Sequence, residues 1–321
     1  MNARLLLFLG LFIMVGIGWI AAFIIWRAAE LGEEIAPLEP RTFDELTLIA
    51  AGTGSDRENP QRLGPAMVVA WGDRVVLVDA GRGVAESLRR SGIPVTQPNL
   101  ILLTNLLPEN TVGLDDLLTT GWLQDREHPL HIMGPTGTQA FVDGLLAAHQ
   151  KGLDALGQAL PLPPAGRQIT VEEVTGPYEK DDNGVRLRAS PLNGGPLPAL
   201  AWRFDQGRAS IVISGTGWGA DDLIAFADRA DLLVHDGVYV PPVEAIEETG
   251  VDVSPERLKA ERTIHTDLES VGDLATRARV EGLVLVRLRP PPFFDAQLQS
   301  LVSNSFNGTL YIPTDGDEIV P

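Results

Sequence analysis

The chain has no cysteine and little positive charge. Without cysteine it can form neither a disulfide nor a thiolate metal site. Its 25 lysines and arginines are opposed by 43 aspartates and glutamates, which gives the 321 residues a formal net charge of −18. Such an acidic domain repels phosphate backbones and anionic lipid surfaces. The composition therefore predicts that nucleic acid is not a partner.

The chain also lacks the usual phosphate-binding and nucleophile motifs. Two glycine pairs follow predicted strands, at 52–54 and 215–217, but neither has the lysine of a P-loop or the spacing of a dinucleotide fingerprint. Both pairs predict turns. Ser55 and Ser214 have no His-Asp partners in a recognisable pattern, which argues against a serine hydrolase.

The N-terminal segment is apolar. Residues Leu5 to Trp26 are uncharged and lie between Arg4 and Arg27. At about 1.5 Å per residue, this helix is long enough to cross a hydrocarbon core of ~30 Å. A signal peptide has an apolar region of only about 7–15 residues, so an uncleaved anchor is favoured. We predict an anchor over 1–28, an acidic linker over 29–45 and one domain over 46–321. The predicted location is the inner (cytoplasmic) membrane, with a single pass and a periplasmic or extracytoplasmic domain.

Short strands and helices alternate through two similar halves of the domain, each half with hairpins near its start. A Gly-Asp turn joins two strand patterns in AMVVAWGDRVVLVDAG, and the segments NLILLTN, ADLLVHDG and GLVLVRL are typical of buried strands. Amphipathic helices are predicted between them. The order indicates an α/β (α+β) protein with a four-layer αβ/βα sandwich.

The segment TNLLPENTVGL, from Thr104 to Leu114, resembles the signature T-H-x-H-x-D-H-T-x-G-L of the metallo-β-lactamase superfamily. The segments GTGS, LVDAG, GPTGT, SGTG and LVLVRL also match that superfamily in order and spacing. The resemblance extends from about Leu46 to Val320. The chain is similar to the ribonuclease Z and arylsulfatase-like branch of this superfamily, and the similarity implies the metallo-β-lactamase fold.

The resemblance also implies which positions would hold the metal ligands of the family. At each of these positions the chain has a residue different from the family's ligand. These degenerate positions are Asn105, Leu107, Glu109, Asn110, Gly194, Thr216 and Arg287. Leucine does not bind zinc, and an asparagine carbonyl is a poor substitute for imidazole. We therefore expect no metal and no cofactor. Arg287 is expected to replace the lost positive charge by pairing with Glu109 or with Asp79, which matches a supporting acid of the family.

Some polar residues of the family pattern remain. His235 and Asp236 match a His-acid pair, and His265 matches a segment that can assist catalysis in ribonuclease Z. One interpretation is a residual acid–base set. The favoured interpretation is structural, because Thr266 and Glu269 form the capping-box pattern T-x-x-E.

From this resemblance we predict a non-catalytic, membrane-anchored pseudoenzyme. It would be a scaffold or accessory subunit that contacts other integral membrane proteins, with the proline-rich segments LPLPPAG and RPPPFF, including Phe293 and Phe294, as contact surfaces. Two alternatives remain open. The first is an atypical hydrolase with a rebuilt site of His235, Asp236, His265 and Glu109. The second is a small-ligand sensor that uses the emptied pocket.

Overall fold

The structure is a computed structural model that describes residues 3–240, 254–290 and 295–321. The proline-rich contact prediction at Phe293 and Phe294 lies outside these residues. The chain divides into two units, 1–39 and 40–321.

The first unit contains helix α1, Ala3–Ile35. Its segment Gly10–Gly32 is long and apolar enough to cross a membrane. Length and composition alone are weak evidence, since a signal sequence near an N-terminus meets the same criteria. The helix continues beyond residue 28, so Glu30 is helical. An anchor over 1–28 and a linker over 29–45 stay predictions.

The second unit contains two mixed sheets, each of seven strands within the described residues. The first has the order β14-β1-β2-β3-β4-β5-β6. Its strands are β1 Phe43–Gly52, β2 Ala66–Gly72, β3 Arg74–Val78, β4 Leu100–Leu102, β5 Leu130–Gly134, β6 Ile169–Glu173 and β14 Asp317–Ile319. β2 and β3 form the hairpin predicted from the Gly-Asp turn, with Trp71 opposite Arg74. Strands β3 to β6 run parallel.

The second sheet has the order β13-β12-β11-β10-β9-β8-β7. Its strands are β7 Tyr178–Asp182, β8 Val185–Leu192, β9 Ala199–Gln206, β10 Ala209–Ile213, β11 Leu232–Val238, β12 Gly282–Arg289 and β13 Thr309–Tyr311. Strands β10 to β13 run parallel. Because β3 to β6 in one sheet and β10 to β13 in the other have parallel directions, several loops meet at their carboxyl ends.

Helices cover the outer face of each sheet. The described helices of this unit are α2 Val84–Arg90, α3 Pro108–Thr111, α4 Leu114–Leu123, α5 Thr138–Ala159, α6 Ala220–Phe226, α7 Pro255–Glu261, α8 Leu268–Arg277 and α9 Asp295–Val302. A short 3₁₀ turn, Pro164–Arg167, follows α5 and overlaps the end of the predicted contact segment LPLPPAG.

Three hydrophobic clusters separate these layers. Leu48, Trp202 and Phe204 belong to the cluster between the inner faces of the sheets, and each is fully buried. A second cluster lies under α2, α4 and α5, and a third lies under α6, α8 and α9. The predicted four-layer αβ/βα sandwich is confirmed.

Two local predictions need correction. The charged strand β7 was missed, although Asn183 and Gly184 after it have the positive φ values of 52° and 83° expected for a tight hairpin turn. At the start of α8 the capping residue is Asp267, whose side chain accepts a hydrogen bond from the Glu269 N–H at 3.2 Å. Thr266 does not form the predicted capping box, because its hydroxyl is buried without a partner.

Candidate functional site

Polar residues gather where the parallel strands of both sheets end. Asp79 follows β3 and Thr104 follows β4, while Thr216 lies in the loop after β10. Leu200 in the second sheet donates its N–H to the Thr104 carbonyl of the first sheet at 2.7 Å. This contact joins the two sheets at the edge where the polar residues meet.

Arg287 forms a fully buried ion pair with Asp79. Its Nη2 lies 2.5 Å from Asp79 Oδ2, and its Nη1 donates to the Gly215 carbonyl at 2.6 Å. A bulge in β12 positions this side chain, because the three residues of β11 from His235 to Gly237 lie opposite the four residues of β12 from Leu285 to Leu288. Arg287 there has a positive φ of 54°, which few non-glycine residues adopt. The predicted pairing of Arg287 with Asp79 is confirmed.

Asp79 also has a positive φ, of 63°, and accepts hydrogen bonds from the Thr104 N–H at 2.8 Å and from the Thr104 hydroxyl. Burial raises the pKa of Asp79 above its ordinary value. The charge of Arg287 and the two Thr104 donors oppose that effect. Arg287 and Thr104 thus favour the ionised form of this carboxyl group against the effect of burial.

Glu109 pairs with a different arginine. Arg289 donates from Nη2 to Glu109 Oε2 and from Nη1 to the Arg287 carbonyl at 2.9 Å. Its Nε lies 3.2 Å from Asp56 Oδ1. Burial lowers the pKa of Arg289 to about 10, which still leaves it protonated at neutral pH. Sequence reasoning missed Arg289, although its place two residues after Arg287 on a strand was a usable signal.

Asn105, Asn110 and Thr216 form a buried hydrogen-bond network. Asn105 Nδ2 donates to Thr216 Oγ1 at 3.0 Å, and Asn110 Nδ2 donates to Asn105 Oδ1 at 2.9 Å. The Leu107 N–H also donates to Asn105 Oδ1 at 2.9 Å. All three polar side chains are fully buried, so neutral amides and a hydroxyl fill the space between the two sheets.

Two of the degenerate positions are not part of this polar cluster. The Leu107 side chain is partly buried against the hydrophobic cluster outside the second sheet. Gly194 is exposed, and a Cβ at this residue would meet nothing within 4 Å. The structure therefore brings together Asn105, Asn110, Thr216 and Arg287, and leaves Gly194 at the surface.

Asp236 contacts two histidines. Its Oδ2 lies 2.8 Å from His265 Nδ1, and its backbone carbonyl lies 2.8 Å from His235 Nδ1. His235 and Asp236 are fully buried, whereas the His265 side chain keeps 8% exposure. Burial alone would raise the pKa of Asp236, but the hydrogen bonds and charges of His235 and His265 outweigh it and hold this pKa well below its usual range.

The Asp236–His265 pair lies beside the loop after β10. A Cβ at Gly217 would fall 1.3 Å from Thr266 Oγ1, so the loops that carry Thr216 and His265 are in direct contact. Only glycine permits this approach. This contact between Gly217 and Thr266 holds the pair next to Thr216 of the polar cluster.

The polar residues of the cluster do not fit the zinc ions of the metallo-β-lactamase signature. Among the described residues, no group of three or more His, Cys, Asp or Glu side chains is placed to hold a metal ion. Two buried oxygens, Glu109 Oε1 and Asn110 Oδ1, have no hydrogen-bond partner. Zinc takes four ligands and prefers imidazole or thiolate, so one carboxylate oxygen and one amide oxygen are insufficient.

No protein-family model matches the chain. The solved structures that resemble it define the class of fold. The metallo-beta-lactamase fold protein YhfI from Bacillus subtilis has a TM-score of 0.65 and 16% identity, covering 86% of this chain and 99% of the other. Human tRNase Z, short form, has a TM-score of 0.64 and 20% identity, covering 86% and 100%. At these identities they show the metallo-β-lactamase fold alone.

Sequence relatives define the family within that fold. Ribonuclease Z from Mycobacterium bovis (strain BCG / Pasteur 1173P2) is 31% identical over 280 residues, covering 84% of this chain and 96% of the relative. Ribonuclease Z from Mycobacterium sp. (strain KMS) is 33% identical over 251 residues, covering 77% and 85%. The chain belongs to the ribonuclease Z family of the metallo-β-lactamase superfamily.

This membership overturns the predicted function. The chain is similar over most of its length to proteins named for an enzyme activity, so the interpretation as a non-catalytic pseudoenzyme, scaffold or accessory subunit of a membrane complex is wrong. The ligand-sensor alternative has no support in these relatives. The loss of the family's metal ligands does not determine what the remaining polar groups do.

The predicted partners and location are also wrong. The composition predicts that nucleic acid is not a partner, and relatives named ribonuclease Z contradict that prediction. Net charge is a sum over the whole chain, whereas a substrate responds to the charges near its own site. The relatives also contradict the prediction that the chain contacts other integral membrane proteins. They likewise contradict an inner-membrane, periplasmic location, which was predicted from the apolar helix.

Proposed function

We propose that this chain is an RNA-cleaving hydrolase in which the Asp236–His265 pair handles a proton of the reaction. The observation that carries the proposal is the 2.8 Å contact between Asp236 Oδ2 and His265 Nδ1, beside the loop after β10. The ribonuclease Z relatives, at 31–33% identity, support RNA as the substrate class.

Asp236 sets the protonation of His265. A carboxylate only accepts hydrogen bonds, so His265 Nδ1 carries the proton that it donates to Asp236. Nε2 is then the ring atom that exchanges a proton with a substrate. When a P–O bond of RNA breaks, the leaving oxygen needs a proton. A protonated His265 supplies it from Nε2 while Asp236 stabilises the cationic ring. The oxygen of a water molecule forms the new P–O bond and loses its proton to solvent, so one RNA fragment ends in a phosphate and the other in a hydroxyl.

His235 positions Asp236 rather than contacting substrate. Its ring is fully buried, while its Nδ1 lies 2.8 Å from the Asp236 carbonyl and 3.2 Å from Asp236 Oδ1. The low pKa of Asp236 keeps its carboxylate ionised at neutral pH. We assign no proton transfer to His235.

A small cleft beside the polar cluster is lined by two arginines. Arg57 and Arg62 line it with Ser55, Asn59 and other residues of the loop after β1, and Arg57 Nη2 also lies 3.5 Å from Glu261 Oε1. Arg62 is fixed by hydrogen bonds to Thr53 Oγ1 at 2.9 Å and to the Pro313 carbonyl at 2.8 Å. Guanidinium groups are well suited to RNA phosphates, so this cleft supports an anionic substrate despite the net charge of −18.

The test is cleavage of an end-labelled transfer RNA precursor by the full-length chain, with His265→Ala as the variant. We expect cleavage by the unmodified chain and a loss of about 10²–10⁴-fold in rate for the variant, the usual contribution of general acid–base catalysis. His149→Ala is the matched control. His149 is an exposed histidine of α5 that contacts Asp115 Oδ2 at 3.3 Å, so its loss should leave the rate unchanged.

Absence of cleavage by the unmodified chain would refute the proposed activity. Equal rates for the unmodified chain and His265→Ala would instead refute the role of the Asp236–His265 pair. Circular dichroism of each variant shows whether a lost rate reflects a lost fold.

A further inference from the structure

The polar centre between the sheets already holds two positive charges of its own. We propose that the ion pairs Arg287–Asp79 and Arg289–Glu109 replace the metal centre of the fold family, so that this chain stabilises its centre without a bound metal ion. The inference concerns the composition of the centre and stands independently of RNA cleavage.

The Arg287 guanidinium occupies the junction between the sheets. Asp79 follows a strand of the first sheet, Gly215 follows a strand of the second, and Arg287 bonds to both at 2.5 and 2.6 Å. Arg287 and Asp79 have no solvent exposure. A cation that approached Asp79 would meet the guanidinium at close range, where like charges repel strongly because solvent screening is weak.

Arg289 neutralises the other carboxylate of the centre. Glu109 is 8% exposed and Arg289 is 1% exposed, and they are in direct contact. Glu109 was the single acid among the degenerate ligand positions, so its pairing removes the one anionic ligand that those positions offered. Its free Oε1 remains as one buried acceptor.

The amide network offers little to a metal ion. Asn105 Oδ1 accepts hydrogen bonds from the Leu107 N–H and from Asn110 Nδ2, both at 2.9 Å, which uses both of its lone pairs. Asn105 Nδ2 points at Thr216 Oγ1. Asn105 is thus satisfied within the protein, and the one acceptor that the network leaves unpaired is Asn110 Oδ1, a single amide oxygen.

The experiment measures metal content and thermal unfolding of the full-length chain. The chain is produced in zinc-supplemented medium, analysed for zinc, iron and manganese, and then unfolded with no addition, with EDTA and with zinc chloride. We expect metal far below stoichiometric amounts and a Tm that neither reagent changes. Stoichiometric metal, or a Tm that falls with EDTA, would overturn the proposal.

Glu109→Gln separates an ion-pair role from a ligand role, and Glu179→Gln, on the exposed part of β7, is the matched control. If Glu109 serves Arg289, the variant lowers the Tm by about 6–20 °C, as for a broken buried ion pair, and leaves metal content unchanged. If Glu109 is a ligand, the variant instead loses metal that the unmodified chain holds, which refutes the inference. Glu179→Gln should change neither quantity.

Discussion

The buried Arg287–Asp79 pair should dominate the stability of the centre. Replacing Arg287 with Met leaves Asp79 with its two Thr104 hydrogen bonds but without a cation, and replacing Asp79 with Asn leaves a buried guanidinium without an anion. Removal of one partner of a fully buried pair costs about 3–5 kcal/mol. Each single variant should therefore lose about that much of its free energy of unfolding.

The double variant Arg287→Met/Asp79→Asn is expected to lose less than the two single variants together. Neither charge is then left buried without its partner. The coupling energy, which is the sum of the two single-variant losses minus the loss of the double variant, should be about 2–3 kcal/mol. The assay is urea unfolding followed by tryptophan fluorescence, since fully buried Trp202 donates a hydrogen bond to the Leu103 carbonyl beside the centre.

A surface pair supplies the control for that cycle. Arg279 and Asp228 are in contact, with side chains 56% and 40% exposed. Solvent screens such pairs, whose coupling is typically only about 0.2–1 kcal/mol. Single Arg287 or Asp79 variants that cost less than 1 kcal/mol, or a coupling energy no larger than that of the surface pair, would refute the assignment of Arg287 as the internal cation of the centre.

Two other perturbations test the surroundings of His265. The depressed pKa of Asp236 means that its ionised form stabilises the fold fully above its unfolded pKa of about 3.9, and that this contribution is lost as pH falls toward the lower folded value. The stability difference between the unmodified chain and Asp236→Asn in urea unfolding should therefore shrink as pH falls below about 5; a difference that stays constant below that pH would contradict this. Gly217→Ala should destabilise by about 1–3 kcal/mol in the same assay because its Cβ overlaps Thr266. Gly144→Ala, in open space on α5, should not destabilise, and equal effects would show that the contact is unimportant.

Much of the fold could be read from local patterns. Continuous apolar segments such as that of β12 predict buried strands because parallel strands are covered on both faces. The same reasoning missed β7, whose residues are mostly charged, because an edge strand needs to bury little of its surface. Its Asn183–Gly184 turn was the better signal.

The candidate site was predictable only in part. The pairing of Arg287 with Asp79 followed from the rule that a buried guanidinium needs a carboxylate, and the structure confirms it. The partner of Glu109 did not follow, since Arg289 lies outside the family signature. Net charge misled the interpretation of substrate, because Arg57 and Arg62 face one cleft while the acidic residues are counted over the whole chain.

Sequence by itself determined the class of fold, the alternation of its elements and the replacement of the family's ligand positions. These depend on periodicity and on residue identity at fixed spacing, which are local properties. Tertiary structure decided which charges meet. Arg287 contacts Asp79, 208 positions away along the chain, and His265 contacts Asp236, 29 positions away. Such contacts depend on a bulge in one strand, a glycine in one loop and the junction of two sheets, because only the folded chain brings distant residues within hydrogen-bond distance.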